Sequence, residues 1–151
     1  MKVNSKFTIN KIRLKQLSTA AVKTLEQTGE ALKTEVQQAQ VIPRDTGNLQ
    51  GESFWVDRKD SFQGKVRLVH SAPYSRRVYF NPDGMKFHKQ AWESVETVTG
   101  KNGKKRKKKV KHDGNANAKD HWYEDWLPGG PKQDFCTKAF KRLYRRNAGL
   151  K

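Results

Sequence analysis

One cysteine stands in the whole chain, Cys136, so no internal disulfide framework can form, and a reducing interior or assembly inside a cell fits best. Long apolar runs are missing too: nothing approaches the roughly 18 residues that a membrane-spanning helix needs. The opening "MKVNSKFTINKIRLKQL" carries lysines but no uninterrupted apolar stretch, so no signal peptide is expected there. Acids are scarce. Only 15 Asp and Glu stand against 32 Lys and Arg, a net charge of +17. Apolar residues make up 34% and charged residues 31%, which points to one modest core with exposed or extended parts rather than a dense enzyme interior. One domain is expected over 1–151, without internal repeats.

The residues of familiar chemistry are also thinly spread. Phosphate-binding patterns of the GxxxxGK[ST] or GxGxxG type are absent. His70, His88, His112 and His121 share no ligand spacing with one another or with Cys136, so no metal and no cofactor are expected. Cys136 lies among Phe135, Ala139 and Phe140, the setting of a buried structural thiol rather than a nucleophile. "PRDTG" holds the Asp-Thr-Gly triplet of aspartic proteases, but those enzymes need two such aspartates at one site. The triplet here also lacks the apolar strand that should lead into and out of it. A turn in which Asp45 or Thr46 caps a short helix starting near Asn48 explains the same residues. Catalysis has no foothold.

What is abundant is positive charge. The stretch "GKNGKKRKKKVKHDGN" packs Lys101, Lys104, Lys105, Arg106, Lys107, Lys108, Lys109 and Lys111 into twelve positions, with no acid until Asp113. Removing those eight charges leaves +9, so the excess is spread along the chain and an anionic partner is expected. DNA, RNA, a membrane surface and an acidic protein all meet that description. A nuclear-import tag would need a eukaryotic setting that nothing else supports. As a nucleic-acid contact, the run would bind phosphates through counterion release, with strong salt dependence and little sequence preference. Its bland counterpart is a solvated loop. Trp55, Trp92, Trp122 and Trp126 are not interleaved with the run, which argues against a stacking platform for single strands.

Periodicity places the run in a fold. Ile9, Ile12, Leu17, Ala20, Ala21, Leu25, Leu32, Val36 and Ala39 recur at three- and four-residue steps, predicting one amphipathic helix over 8–40. Asn10 or Thr8 caps its start and Pro43 closes it. Gly29 inside it marks a kink, a close contact or simple tolerance. "SFWVDR" and "GKVRLVH" alternate as two strands joined by "KDSFQG". "SAPYSRRVYFNPDG" is a turn, a short helical or extended piece, and a second turn at 81–84. Residues 92–99 and 104–112 form a hairpin around "GKNG", which makes the basic run its second arm and tip. Trp122, Tyr123, Trp126 and Leu127 form an aromatic knot. A last helix is expected from about Pro131, with Phe135, Ala139, Phe140 and Leu143 on one face and Lys138, Lys141, Arg142, Arg145 and Arg146 around the remainder.

A long helix followed by "P-x-D-T-G-x-L" (Pro43, Asp45, Thr46, Gly47, Leu49) and then Ser53 resembles the minor capsid or head–tail joining proteins of long-tailed bacteriophages. The next landmark, a "Y-A/S-x-x-V" segment, matches "APYSRRVYFNP" through Tyr74, Ser75, Val78 and Tyr79. A tryptophan-rich stretch before a terminal helix also fits, in "HWYEDWLPGGPKQDFCTKAFKRL". The resemblance spans most of the chain except 93–115, where the basic hairpin looks like an insertion.

It implies an α+β protein: a long N-terminal helix packed on a small antiparallel sheet, a projecting basic hairpin and a C-terminal helix. It also implies a virion component of the neck, without enzymatic activity, assembled in the bacterial host cytoplasm. Its implied partners are further copies in a homo-oligomeric ring around the DNA path, a head-side connector, a tail terminator and double-stranded DNA in the channel. Asp45, Thr46, Gly47 and Leu49 then have structural work, with Gly47 permitting a turn that a Cβ would hinder. Leu49 pins that turn to the long helix. About nine residues per strand at roughly 3.3 Å each would carry the hairpin about 30 Å from the body. The alternative is a stand-alone basic nucleic-acid-binding protein.

Overall fold

A computed structural model describes residues 8–99 and 103–150. The chain is α+β: a long N-terminal helix, two small antiparallel sheets and a C-terminal helix. Helix α1 runs Lys11–Gln38. Asn10 caps it, its side-chain oxygen accepting from the Arg13 amide at 2.9 Å, so Thr8 has no part in the start. Burial along α1 begins only at Ala20 and continues through Thr24, Thr28, Gly29 and Val36. Ile12 and Leu14 in its first turns are 75% and 59% exposed, and Ile9 just before it is 70% exposed. The apolar stripe therefore starts outside the body of the protein. Two threonines on the buried face, Thr24 and Thr28, return their hydroxyls to the carbonyls of Ala20 and Thr24, which leaves no orphan donor there.

Gly29 is a close contact. A Cβ there would stand 2.7 Å from Cγ1 of Val66 and 3.0 Å from Cγ1 of Val56, so its absence lets the first sheet lie against the helix. That sheet pairs β1, Phe54–Asp57, with β2, Arg67–His70, in the register Phe54↔His70 and Val56↔Leu68. Phe54 and Val56 face inward while Trp55 is exposed, the period-2 pattern expected of a half-buried strand. A short 3-10 turn, Ser61–Gln63, occupies the connection and ends on Gly64 at φ 78°.

The core gathers Val36 of α1, Val41, Ile42 and Leu49 of the loop after it, Phe54 and Ala72, and Trp122 and Trp126. Leu49 is buried in the same cluster as Val36 of α1. Of the aromatic knot, Trp122 and Trp126 are buried and Tyr123 packs against the core, whereas Leu127 is 49% exposed. The indole N–H groups of Trp122 and Trp126 have no hydrogen-bond partner among the described residues.

Helix α2, Ser75–Phe80, is the helical alternative for the "YSRRV" segment; Asn81 ends it at φ 42°. Helix α3, Phe135–Asn147, begins four residues later than the Pro131 start expected from sequence. Turns claim the intervening residues: the Lys132 amide donates to the Asp125 carbonyl at 2.7 Å and that of Gln133 to Gly130. Lys132 Nζ also reaches Glu35 Oε1 at 2.7 Å and sits over the Trp126 ring. Tertiary ties from the aromatic segment override the proline's preference for a first helical turn. Helix α3 packs on α1, where Asn147 Nδ2 donates to Thr24 and Gln27 and Arg13 donates to the Ala148 carbonyl.

Candidate interaction surface: the basic hairpin and the turn that holds it

The second sheet is the hairpin itself, β3 over Trp92–Thr99 and β4 over Lys105–His112. Its register runs from Trp92↔His112 to Thr99↔Lys105 without a break. Lys101 and most of the "GKNG" turn lie outside the described residues. Lys104 precedes β4 and is exposed, as are Lys105, Arg106, Lys107, Lys108, Lys109 and Lys111. Only the base is held by the body: Trp92, Ser94 and Val110 are half-buried and His112 is 8% exposed.

The base is a stack of three rings. His88 lies on Trp92 at 4.2 Å and Trp92 on His112 at 4.4 Å, with interplanar angles of 15° and 19°. His112 then turns both nitrogens to partners. Its Nδ1 stands 3.0 Å from Asp45 Oδ1, and its Nε2 lies 2.7 Å from Ser94 Oγ. The carboxylate accepts from Nδ1–H, and Nε2 shares a hydrogen bond with the serine hydroxyl. Arg44 meets Asp113 at 3.2 Å beside them.

Past the hairpin, a Cβ on Gly114 would stand 2.5 Å from the carbonyl oxygens of His88 and Gln90, so only glycine passes there. Buried Asn115 donates to the Ile42 carbonyl at 2.7 Å and to Gln50 Oε1 at 2.6 Å. The Lys119 amide donates to Val41. The hairpin is thus rooted in the loop at 41–50.

That loop is the Asp-Thr-Gly turn. Gly47 adopts φ 86°, the left-handed region that glycine enters freely. The Gly51 amide donates to the Gly47 carbonyl at 2.8 Å, and Ser53 closes the turn through its amide and hydroxyl, both on the Asn48 carbonyl. No helix forms from Asn48, and neither Asp45 nor Thr46 caps one; residues 48–53 are turns. Asp45 is drawn instead to His112, a partner far along the chain that local capping rules do not see.

Pro43, Asp45, Thr46, Gly47, Leu49 and Tyr74 of the motifs line one cleft of about 470 Å³. Ser53 stays behind it, buried in the turn. Val78 of α2 and the segment Met85–His88 form the other wall. Sequence reasoning did not place Met85 and Phe87 there, because no periodicity marks an irregular segment.

Ser94, His112 and Asp45 follow the order of a serine-hydrolase triad. The order alone is not a site. Ser94 stands near the start of a regular strand rather than on a strained turn, and the neighbouring cleft is lined by Asp45 and His88 but by neither Ser94 nor His112. The three residues act as a clasp. Among the described residues no group of three or more His, Cys, Asp or Glu could hold a metal ion, and no helix is long and apolar enough to cross a membrane.

A second polar knot lies in the body, at His70. Its Nδ1 is 3.0 Å from the Leu49 carbonyl and its Nε2 is 2.6 Å from Tyr123 Oη, while its ring stacks on Phe54 at 4.3 Å. Burial pushes its pKa down, against the opposing pull of the Leu49 carbonyl. Burial likewise pushes Tyr123 up, so the phenol stays protonated and donates to His70. Cys136 is partly buried, and that burial raises its thiol pKa, which suits packing rather than attack.

Comparison with protein-family models, with curated proteins and with solved structures finds no match to this chain.

Proposed function

We propose that this chain is a structural protein of a long-tailed bacteriophage neck, forming a homo-oligomeric ring that joins the head-side connector to the tail terminator around the DNA path. It acts by assembly, without enzymatic activity, in the virion and, while the particle is built, in the bacterial host cytoplasm. The observation that carries the reading is spatial: the Asp-Thr-Gly turn and the Tyr74–Val78 segment share one cleft, and that turn clasps the root of the basic hairpin. Two of the landmarks that resemble the phage proteins thus meet at one cleft. The exposed Ile9, Ile12 and Leu14 add support, because a helix that leaves its own body with apolar side chains uncovered suits contact with a neighbouring subunit.

The test is genetic. Particles assembled without this chain should accumulate as DNA-filled heads and separate tails, and restoring the chain should join them. Normal joined particles in its absence would overturn the proposal. The basic hairpin keeps a stand-alone nucleic-acid-binding protein as the second reading, which predicts the chain on host nucleic acid rather than in purified virions.

A further inference from the structure

Directly opposed residues of an antiparallel pair share a face, so the hairpin register sorts its charges into two unlike sides. One side carries Lys105, Lys107, Lys109 and Lys111, opposite Thr99, Thr97, Val95 and Glu93. The other carries Arg106 and Lys108 with Glu96, and ends in the half-buried Ser94–Val110 pair and the Trp92–His112 stack that roots the hairpin. Every residue of the first side is exposed, and none of its lysines alternates with an aromatic.

We propose that the face bearing Lys105, Lys107, Lys109 and Lys111 is a docking surface for the phosphate backbone of duplex nucleic acid, while the base of the opposite face packs on the protein body. The inference rests on the proposed placement of the hairpin beside DNA and names the face that does the work. The lysines recur every second residue, about 6.8 Å apart along the strand, and make a row about 20 Å long. Among the described residues only Glu93 answers them, at 3.8 Å from Lys109. In the free protein four aligned ammonium groups repel one another, and a polyanion lying along the row removes that cost. Opposite Lys105 and Lys107 stand the short hydroxyls of Thr99 and Thr97, which leave the lysine stems free and offer two more donors to phosphate. The face has no ring on which a base could stack, so its readout is backbone charge without sequence preference, and a duplex suits it better than a single strand.

Two charge-matched double variants separate the faces. Lys107→Thr with Lys109→Thr and Arg106→Thr with Lys108→Thr each remove two positive charges and substitute a good strand former. Binding to a short mixed-sequence duplex is measured against salt on the intact protein. The first variant should flatten the salt dependence by about two in slope, and the second by less than half as much. The conservative Lys107→Arg with Lys109→Arg should bind like the parent. Equal losses from both pairs, no duplex binding by the parent, or tighter binding of polyglutamate than of the duplex at the same salt would each overturn the assignment, the last in favour of an acidic protein surface. Native mass spectrometry of the same preparations reports separately on the neck reading. Rings with no difference between the faces overturn only the face assignment, whereas a clear difference in a chain that never assembles in the neck overturns only the ring.

Discussion

Asp45 Oδ1 stands 3.0 Å from Nδ1 of His112, so the Asp-Thr-Gly turn and the basic hairpin are one mechanical unit. The turn is shaped by Gly47, the hairpin root by the stacked rings of Trp92 and His112. His112→Ala should therefore loosen the hairpin locally, by about 1–2 kcal/mol, with little effect on the body. Asp45→Asn should cost less, below about 1 kcal/mol, because solvent screens a carboxylate this exposed. Hydrogen exchange of the β3 and β4 amides reads both. Unchanged protection in His112→Ala would show that the stack does not hold the root.

Gly47→Ala should destabilise the protein by about 1–2 kcal/mol, the usual cost of a left-handed residue that carries a Cβ. The nearest atom to that Cβ is Arg44 Nε at 3.6 Å, an ordinary contact, so the cost is conformational rather than steric. Thermal unfolding measures it. A neutral result would remove the conformational reason for glycine in this motif.

Gly29→Val should cost about 2 kcal/mol or more, although leaving glycine ordinarily favours a helix interior by up to about 1 kcal/mol. The new side chain would meet the branched methyls of Val56 and Val66, which have no long flexible stem to yield. Pairing it with Val66→Ala should recover part of the loss. If the single variant is as stable as the parent, the helix and first sheet are not in the close contact described.

His70 sets a pH dependence. Its folded pKa is lowered by burial, so the unfolded chain binds a proton that the folded chain refuses. Stability is then complete above the ordinary histidine value of about 6.5 and is lost as pH falls from there toward the lower folded value. His70→Gln should be less stable at neutral pH but flatter across that window. An equal slope in parent and variant would place the sensitivity elsewhere.

Much of this was legible in the sequence where a single period governed a segment. The spacing from Leu17 to Val36 is helical, and the alternation through Phe54–Asp57 and Arg67–His70 is that of strands facing one core. Rules that weigh only near neighbours failed elsewhere. Pro131 suits a helix start, yet Lys132 is bound into turns by Asp125 and Glu35. Asp45 suits a cap, yet its partner is His112. The basic run was visible as charge and as a hairpin arm. Its division into two faces depends on the pairing register, which composition does not carry.

Ile12→Asp should leave thermal stability within about 0.5 kcal/mol, since the side chain is 75% exposed, while weakening association between copies. The most direct measurement of the central claim is native mass spectrometry of the neck assembled from the parent chain with its connector partners, set against the same assembly with Ile12→Asp. A closed ring of one fixed copy number for the parent, lost or weakened in the variant, is the expected result; a single copy of the chain per finished particle would contradict the ring.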